Sequence, residues 1–544
     1  MVRSSRLIRQ ALASALLLAC TPGTTPPPTP SPTTASYDDL VAVFADWRAF
    51  QRPKRNGGVP DYTAPAMAAQ YRDLPAMKAR LIAIDPSKWP IPQQVDYHIV
   101  RAEMNGLDFD HRVMKPWAEN PDFYATVFAE ESDQPAREGP HADGAVELWN
   151  YRFPLSAGDG SKVSTGLQVV PVLLAQARRN LVGNRKDLWT YGTQALKQQS
   201  SDLSELIPKI GGDIAPLAVA AKAATDSMII WVQSQAPSKT GPAGIGIENY
   251  DWYLKNVLLL PYSWAEEVAL MRRELARAHA FLALERERNA RLPEQVPITS
   301  APEHSRRFGA AVTEYLAFLK SHNIMTLKDY MEPALRARLG TFAPGPREFF
   351  TEVDYRDPEV MRTHGYHWFD LGQMVNEPHP DPIRRGALLY NIFASRTEGW
   401  ATGWEEMMLQ AGMFDARPRS RELVYALLGQ RAARALGDLM MHGNKMSLEE
   451  AAKFAAANTP NGWLRETGHT VWGEQHLYLQ QPGYGTSYVI GKIQGERIMA
   501  ERRIALKDKF SIKEFMDGFN AVGLIPISLV RWELTGDGSD ITSP

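Results

Sequence analysis

The chain has 544 residues, 60 Lys and Arg against 62 Asp and Glu, and a single cysteine. A near-zero charge balance gives no electrostatic reason to expect nucleic acid. One cysteine allows no intrachain disulfide, so the folded state has to rest on its core. With 44% hydrophobic residues and 14 tryptophans that core is well supplied, and the length passes the usual limit of about 250 to 300 residues for one core, which predicts two packed lobes.

Taken in chain order, Arg3, Arg6 and Arg9 precede a short apolar run from Ala11 to Ala19 and then Cys20, the layout of a secretory signal over residues 1–19. The run is shorter than the roughly 20 apolar residues a spanning helix needs. No later stretch reaches that length without Gly, Pro or charge. Leu17-Leu18-Ala19-Cys20 resembles the bacterial lipobox, which implies cleavage before Cys20 and acylation on it, a firm hold on a membrane. An ordinary signal peptide ending in cysteine is the alternative. Residues 21–36 are almost entirely Pro, Thr, Ser and Gly and predict an extended polyproline tether reaching on the order of 50 Å. The expectation is a bacterial cell-envelope lipoprotein that meets the membrane through its N-terminal lipid only and faces the periplasm. Thr21 after Cys20 points to the outer membrane, by resemblance to lipoproteins in general.

Strand signatures are scarce beyond the tether, while Ser-x-x-Glu capping boxes recur at Ser263, Ser447 and Ser511. After Ser263, Val268, Met271, Leu275, Ala278 and Leu282 repeat at helical spacing until Pro293, which predicts an amphipathic helix of five or more turns. Further helices are predicted from Leu388 to Ala411 and from Arg421 to His442, with Gly412 and Gly443 as left-handed C-caps. Residues 237–246 are the best candidate for a hinge. The boundaries follow as an N-terminal helical lobe over 37–240 and a C-terminal helical lobe over 241–544 that carries the candidate site.

The chain contains no Gly-x-Ser-x-Gly elbow, no Walker loop and no His-Glu-x-x-His. Polar residues concentrate instead on three predicted helices of the C-terminal half. His364 and His367 lie three apart, so on one helix both imidazoles share a face and could grip a cation, with Glu398 from the next helix as third ligand. That set leaves one coordination position open. Two hydrogen-bonded core histidines are the competing reading. Arg431, Arg434, Asp438 and His442 form a polar stripe bordered by apolar positions, suited to a buried network or a cleft wall. Ion-pair networks that serve structure alone give the same pattern. In the Tyr- and Gly-rich run 484–492, a phenol could donate to a developing oxyanion.

These segments carry a resemblance. Glu398-Gly399-Trp400-Ala401 with Glu405, the Arg431–His442 stripe, Ser447 to Ala452, Ser487-Tyr488 with Gly491-Lys492, and the closing Gly523 to Leu529 resemble the bacterial family known as domain of unknown function 885, relatives of all-helical zinc carboxypeptidases. Val59 to Tyr62, Asp96-Tyr97 with Arg101, and Asn249 to Tyr253 extend the likeness upstream. The resemblance implies a large, mainly α, two-lobed metallopeptidase-like fold with a central cleft, zinc as cofactor, and a peptide or small-molecule substrate. Typical members carry His-Glu-x-x-Pro-Gly-His some thirty-odd residues before the helix glutamate. Here the window reads His364-Gly365-Tyr366-His367, without the glutamate that acts as general base, a group that contributes about 100- to 10,000-fold. Three readings follow. In the first, His364, His367 and Glu398 hold the metal, Asp370 or Glu405 acts as base, Tyr488 and His442 stabilise the tetrahedral intermediate, and Arg434 and Asp438 support them. In the second, the fold is kept as a non-catalytic binding or scaffold lipoprotein. The third is a metal-free hydrolase, for which no nucleophile is recognisable.

Overall fold

Helix starts fall where the sequence places its capping serines. In a computed structural model that describes residues 35–542, the Ser263 hydroxyl accepts the Glu266 N–H and the Glu266 carboxylate accepts the Ser263 N–H at 2.8 Å, opening the Trp264–Arg288 helix. Ser447 opens Leu448–Asn458 in the same reciprocal way, and Ser511 caps Ile512–Ala521. The fold is mainly α, as expected. Strand among the described residues is confined to two short pairs, Arg55–Asn56 with Val59–Pro60 and Val127–Phe128 with Val146–Glu147. Cys20, the signal segment and most of the tether lie outside the described residues.

Boundaries depart from the sequence reading where local geometry intervenes. The helix expected from Leu388 starts at Ala394, because residues 389–391 form a tight turn in which Tyr390 and Asn391 are both left-handed, with φ of 58° and 48°. Its far end is as expected, with Gly412 left-handed at φ 94°. The helix expected from Arg421 spans Pro418–His442, Pro418 occupying a first-turn position that needs no N–H. Gly443 does not take the left-handed role expected of it. Its φ is −74°, its N–H still bonds to the Leu439 carbonyl, and the reversal passes to Asn444 at φ 52°, a residue type that tolerates that region.

Two large apolar cores and two small satellite clusters result. The larger unites the Tyr37–Phe50 and Ile91–Phe109 helices with residues 245–532, with Trp47, Ile99, Trp400, Trp404 and Leu427 buried inside it. The other is built between Tyr62 and Val232, where the Ala157–Asn180, Gln194–Leu206 and Ile214–Gln235 helices pack together. The stretch Ile214–Ser238 is long and apolar enough to cross a bilayer. It nonetheless carries a Lys222–Asp226 ion pair and buries Ala218, Ala221, Thr225, Met228 and Val232 against its neighbours.

One crossing positions the site. The Ala394–Gln410 helix meets the Tyr484–Leu506 helix at Gly399 and Gly491, where a Cβ on Gly399 would stand 2.3 Å from the Gly491 Cα and one on Gly491 would stand 1.9 Å from the Ser395 carbonyl oxygen. Only a glycine pair allows this backbone approach, and it sets Glu398 directly against Tyr484.

Candidate metal centre

Three donor atoms from three short segments face one point. His364 ends the Pro358–His364 helix, Gly365 interrupts it, and His367 lies in the first turn of Tyr366–Asn376. The expectation that one helix carries both imidazoles is therefore corrected: two helices meet at Gly365, whose ψ of 11° breaks the helical path. The rings still end 4.9 Å apart. His367 Nε2 stands 3.2 Å from Glu398 Oε2, and His364 Nε2 stands 3.9 Å from the same oxygen. All three donors lie within 4.8 Å of one another. His367 Nε2 and Glu398 Oε2 are buried and neither makes an aligned hydrogen bond. Two ligands of a tetrahedral ion at about 2.0 Å are separated by ~3.3 Å, close to the N–O contact seen. Two imidazoles and one carboxylate form the donor set of open zinc sites, so these residues fit such an ion.

The surrounding groups hold the donors in place. His364 Nδ1 is 3.0 Å from Glu405 Oε1, and Arg431 grips the same carboxylate with bonds of 2.6 and 2.7 Å. A carboxylate behind an imidazole fixes the ring and raises its basicity toward a ligand on the opposite nitrogen. Glu398 Oε1 accepts from the Tyr484 hydroxyl at 2.6 Å and from Gln134 Nε2 at 3.0 Å, leaving Oε2 for the histidines. Gln134 Nε2 is also 3.2 Å from His367 Nδ1, and Gln134 Oε1 accepts from Thr397 at 2.5 Å. Burial opposes charge on both members of the central pair, but attraction prevails. Glu398 and Asp133 raise His367 to about 9 against that burial, and the two histidines hold Glu398 at about 2 against its own.

The other sequence candidates serve different neighbours. Asp370 makes a two-pronged pair with Arg396 at 3.1 Å on each arm, inside a wholly buried setting. Glu405 is committed to Arg431 and His364 as above. Arg434 pairs with Glu474 and lies 4.1 Å over the Tyr488 ring. Asp438 accepts the Gly485 N–H at 2.9 Å, at the start of the Tyr484–Leu506 helix, and burial raises it to about 8. His442 Nε2 is 2.9 Å from the Tyr478 carbonyl oxygen and 3.7 Å from Asp438 Oδ1. The structure thus brings His364, His367, Glu398 and Glu405 together and leaves Asp370 and His442 in packed networks of their own.

Sequence reasoning missed the loop 129–145. Besides Gln134, it delivers Asp133 and Glu138, whose oxygens gather with Glu398 in a second group within 4.8 Å. The Tyr484 hydroxyl oxygen also stands 2.8 Å from Glu138 Oε1, and burial with Asp133 and Glu398 pushes Glu138 up to about 8. The signal available was the length of an irregular loop in a helical protein, since loops beyond about 12 to 15 residues are uncommon and frequently functional.

An all-helical protein with a buried two-histidine, one-carboxylate cluster is the class that fold and geometry define. Within it, residues 367–534 match the family model described as bacterial protein of unknown function, DUF885, in agreement with the resemblance carried by Glu398-Gly399-Trp400-Ala401. Among solved structures, a candidate lipoprotein of unknown function from Shewanella oneidensis is similar at a TM-score of 0.65 and 16% identity, covering 92% of this chain and all of its own. A candidate lipoprotein from Colwellia psychrerythraea is similar at 0.63 and 15%, covering 92% of this chain and 99% of that one. These likenesses show a shared fold. No curated protein matches the chain.

Proposed function

We propose that this protein is a cell-envelope lipoprotein that holds a divalent cation, zinc by its donor set, at His364, His367 and Glu398, and hydrolyses peptide or related acyl substrates there. The observation that carries the reading is the buried, unsatisfied pair His367 Nε2 and Glu398 Oε2 facing His364 Nε2. Bound there, zinc supplies Lewis acidity for polarising an acyl group and acidifying water. Glu405 and Arg431 orient His364, while Tyr484 and Gln134 fix Glu398. Asp370 and Glu405, both paired with arginine, act as positioning groups rather than bases. In this reading Tyr488 is the phenol that stabilises developing negative charge, with Arg434, paired to Glu474, lying over its ring. Anchoring through Cys20 in the outer membrane, facing the periplasm, is supported by the signal and tether composition and by the kind of protein the two similar structures are described as.

A second reading, a non-catalytic binding or scaffold lipoprotein, is favoured by one specific observation. A protonated His367 against Glu398, with Gln134 bridging the two, closes as an ion pair needing no cation. The full chain carrying Cys20→Ser separates the two readings. The first expects near-stoichiometric zinc after purification, loss of zinc in Glu398→Ala, and peptide cleavage that stops with chelator. Zinc without any chelator-sensitive cleavage would sink the hydrolase, and a metal-free protein would overturn the metal reading and favour the scaffold.

A further inference from the structure

A cavity of about 380 Å³ is bounded by the end of the Ile91–Phe109 helix, the 387–391 turn and residues 136–143. None of His364, His367 or Glu398 lines it. Its most unusual wall residue is Asp110. The Ile91–Phe109 helix runs on into a π-helical turn, Asp110–Met114, a distortion frequent at functional sites. Asp110 is partly buried there, and its carboxylate makes no hydrogen bond or ion pair with any described residue. Burial raises it to about 7 and no cation offsets that rise. Asp110 keeps some contact with solvent in the cavity, and a half-buried carboxylate with no protein cation beside it is open to a charge brought from outside.

The walls around Asp110 are aromatic. Trp117, Phe123, Tyr253 and Tyr390 all line the cavity. Tyr390 reaches it only because two consecutive non-glycine residues are left-handed, a strain that persists where the surroundings over-determine it. Its ring then lies across Gly106, where a Cβ would stand 2.3 Å from Tyr390 Cδ2. Gly106 and Asp110 are four apart and share a helix face, so ring and carboxylate are neighbours. The negative charge of Asp110 is felt at both the Tyr253 and the Tyr390 phenols. A carboxylate and four aromatic side chains lining one cavity of ligand size are the groups that select an organic cation, through its charge and its apolar body.

We propose that this cavity binds a small organic ammonium ion, its charge against Asp110 and its apolar body against Tyr253, Tyr390, Trp117 and Phe123. The inference does not rest on the metal reading, and the two fail separately. The probe is 2-phenylethylammonium, with 2-phenylethanol as its neutral counterpart, titrated calorimetrically into the full chain carrying Cys20→Ser. Saturable binding of the ammonium, on the order of tenfold tighter than the alcohol, is expected. Asp110→Asn should bring the two probes to the same affinity, with unchanged circular dichroism. The comparison of ammonium with alcohol needs no variant, so a poorly folding Asp110→Asn leaves it decisive. No saturable ammonium binding, equal affinity for the alcohol, or ammonium affinity unmoved in a folded Asp110→Asn would each overturn the proposal. Zinc content read on the same samples bears on the metal centre alone.

Discussion

Glu398 divides its two oxygens between different tasks: Oε1 takes the Tyr484 hydroxyl and the Gln134 amide, and Oε2 faces two imidazoles. Behind His364 the chain Glu405–Arg431 repeats the logic, one buried charge orienting the next. Replacing Glu405 by Gln keeps the shape and removes the anion behind Nδ1, so zinc affinity should fall about 10- to 100-fold, measured by competition with a metal indicator, and stability should fall too because Arg431 is left buried without its anion. Arg431→Met is the harsher change, since it strands Glu405 without its partner in a buried site. A loss of about 3 to 5 kcal/mol in unfolding free energy is expected from chemical denaturation. At this scale His364, His367 and Glu398 were legible because histidine spacing and a carboxylate on the following helix are local patterns. Gln134 was not, because it arrives from a loop more than two hundred residues earlier and carries no periodicity.

Among the elements, the crossing of Ala394–Gln410 with Tyr484–Leu506 is the joint on which the site depends. A methyl group on Gly399 would meet the backbone of Gly491 and the Ser487 carbonyl oxygen, and backbone cannot swing aside as a side chain can. Gly399→Ala should therefore lower stability by about 1 to 3 kcal/mol and weaken metal binding with it, since Glu398 is the adjacent residue. A surface alanine substitution such as Ala223→Gly gives the contrasting case, a change of about 1 kcal/mol without effect on the metal. The capping boxes made the starts of Trp264–Arg288 and Leu448–Asn458 readable, because the Ser and Glu that satisfy the first N–H groups are adjacent in sequence. The break at Gly365 and the left-handed pair Tyr390-Asn391 were hidden. Both are imposed by tertiary packing, in one case by the facing imidazoles and in the other by a ring laid across Gly106.

Over the whole molecule, buried titratable groups tie stability to pH. Burial raises Asp96 and Asp122 to about 7 and Asp438 to about 8, far above the value of about 3.9 in an unfolded chain. Each is protonated when folded and ionised when unfolded over the intervening range, so its contribution is full at low pH and is lost as pH rises through its folded value. The histidines His98, His442 and His476 are held down to about 3, 4 and 4 by burial and act oppositely, but only below 6.5. Between pH 6.5 and 8.5 His367, raised to about 9, loses its contribution in the same direction as the carboxyls, and the denaturant midpoint should fall across that window; a midpoint that rises would contradict it. Anchoring belongs to this scale too: Cys20→Ser should abolish incorporation of labelled fatty acid and release the protein from membranes, while retained label would place the lipid elsewhere. The mainly helical fold was readable from capping and composition, and the core shared by the first helices with residues 245–532 was not, because pairing across such separations leaves no local trace.

The most direct test of the metal centre is anomalous diffraction at the zinc edge from crystals of the full chain carrying Cys20→Ser, grown without added metal. One peak about 2.0 to 2.1 Å from His364 Nε2, His367 Nε2 and Glu398 Oε2 is predicted. Density showing His367 hydrogen-bonded straight to Glu398, with no anomalous peak between them, would contradict it.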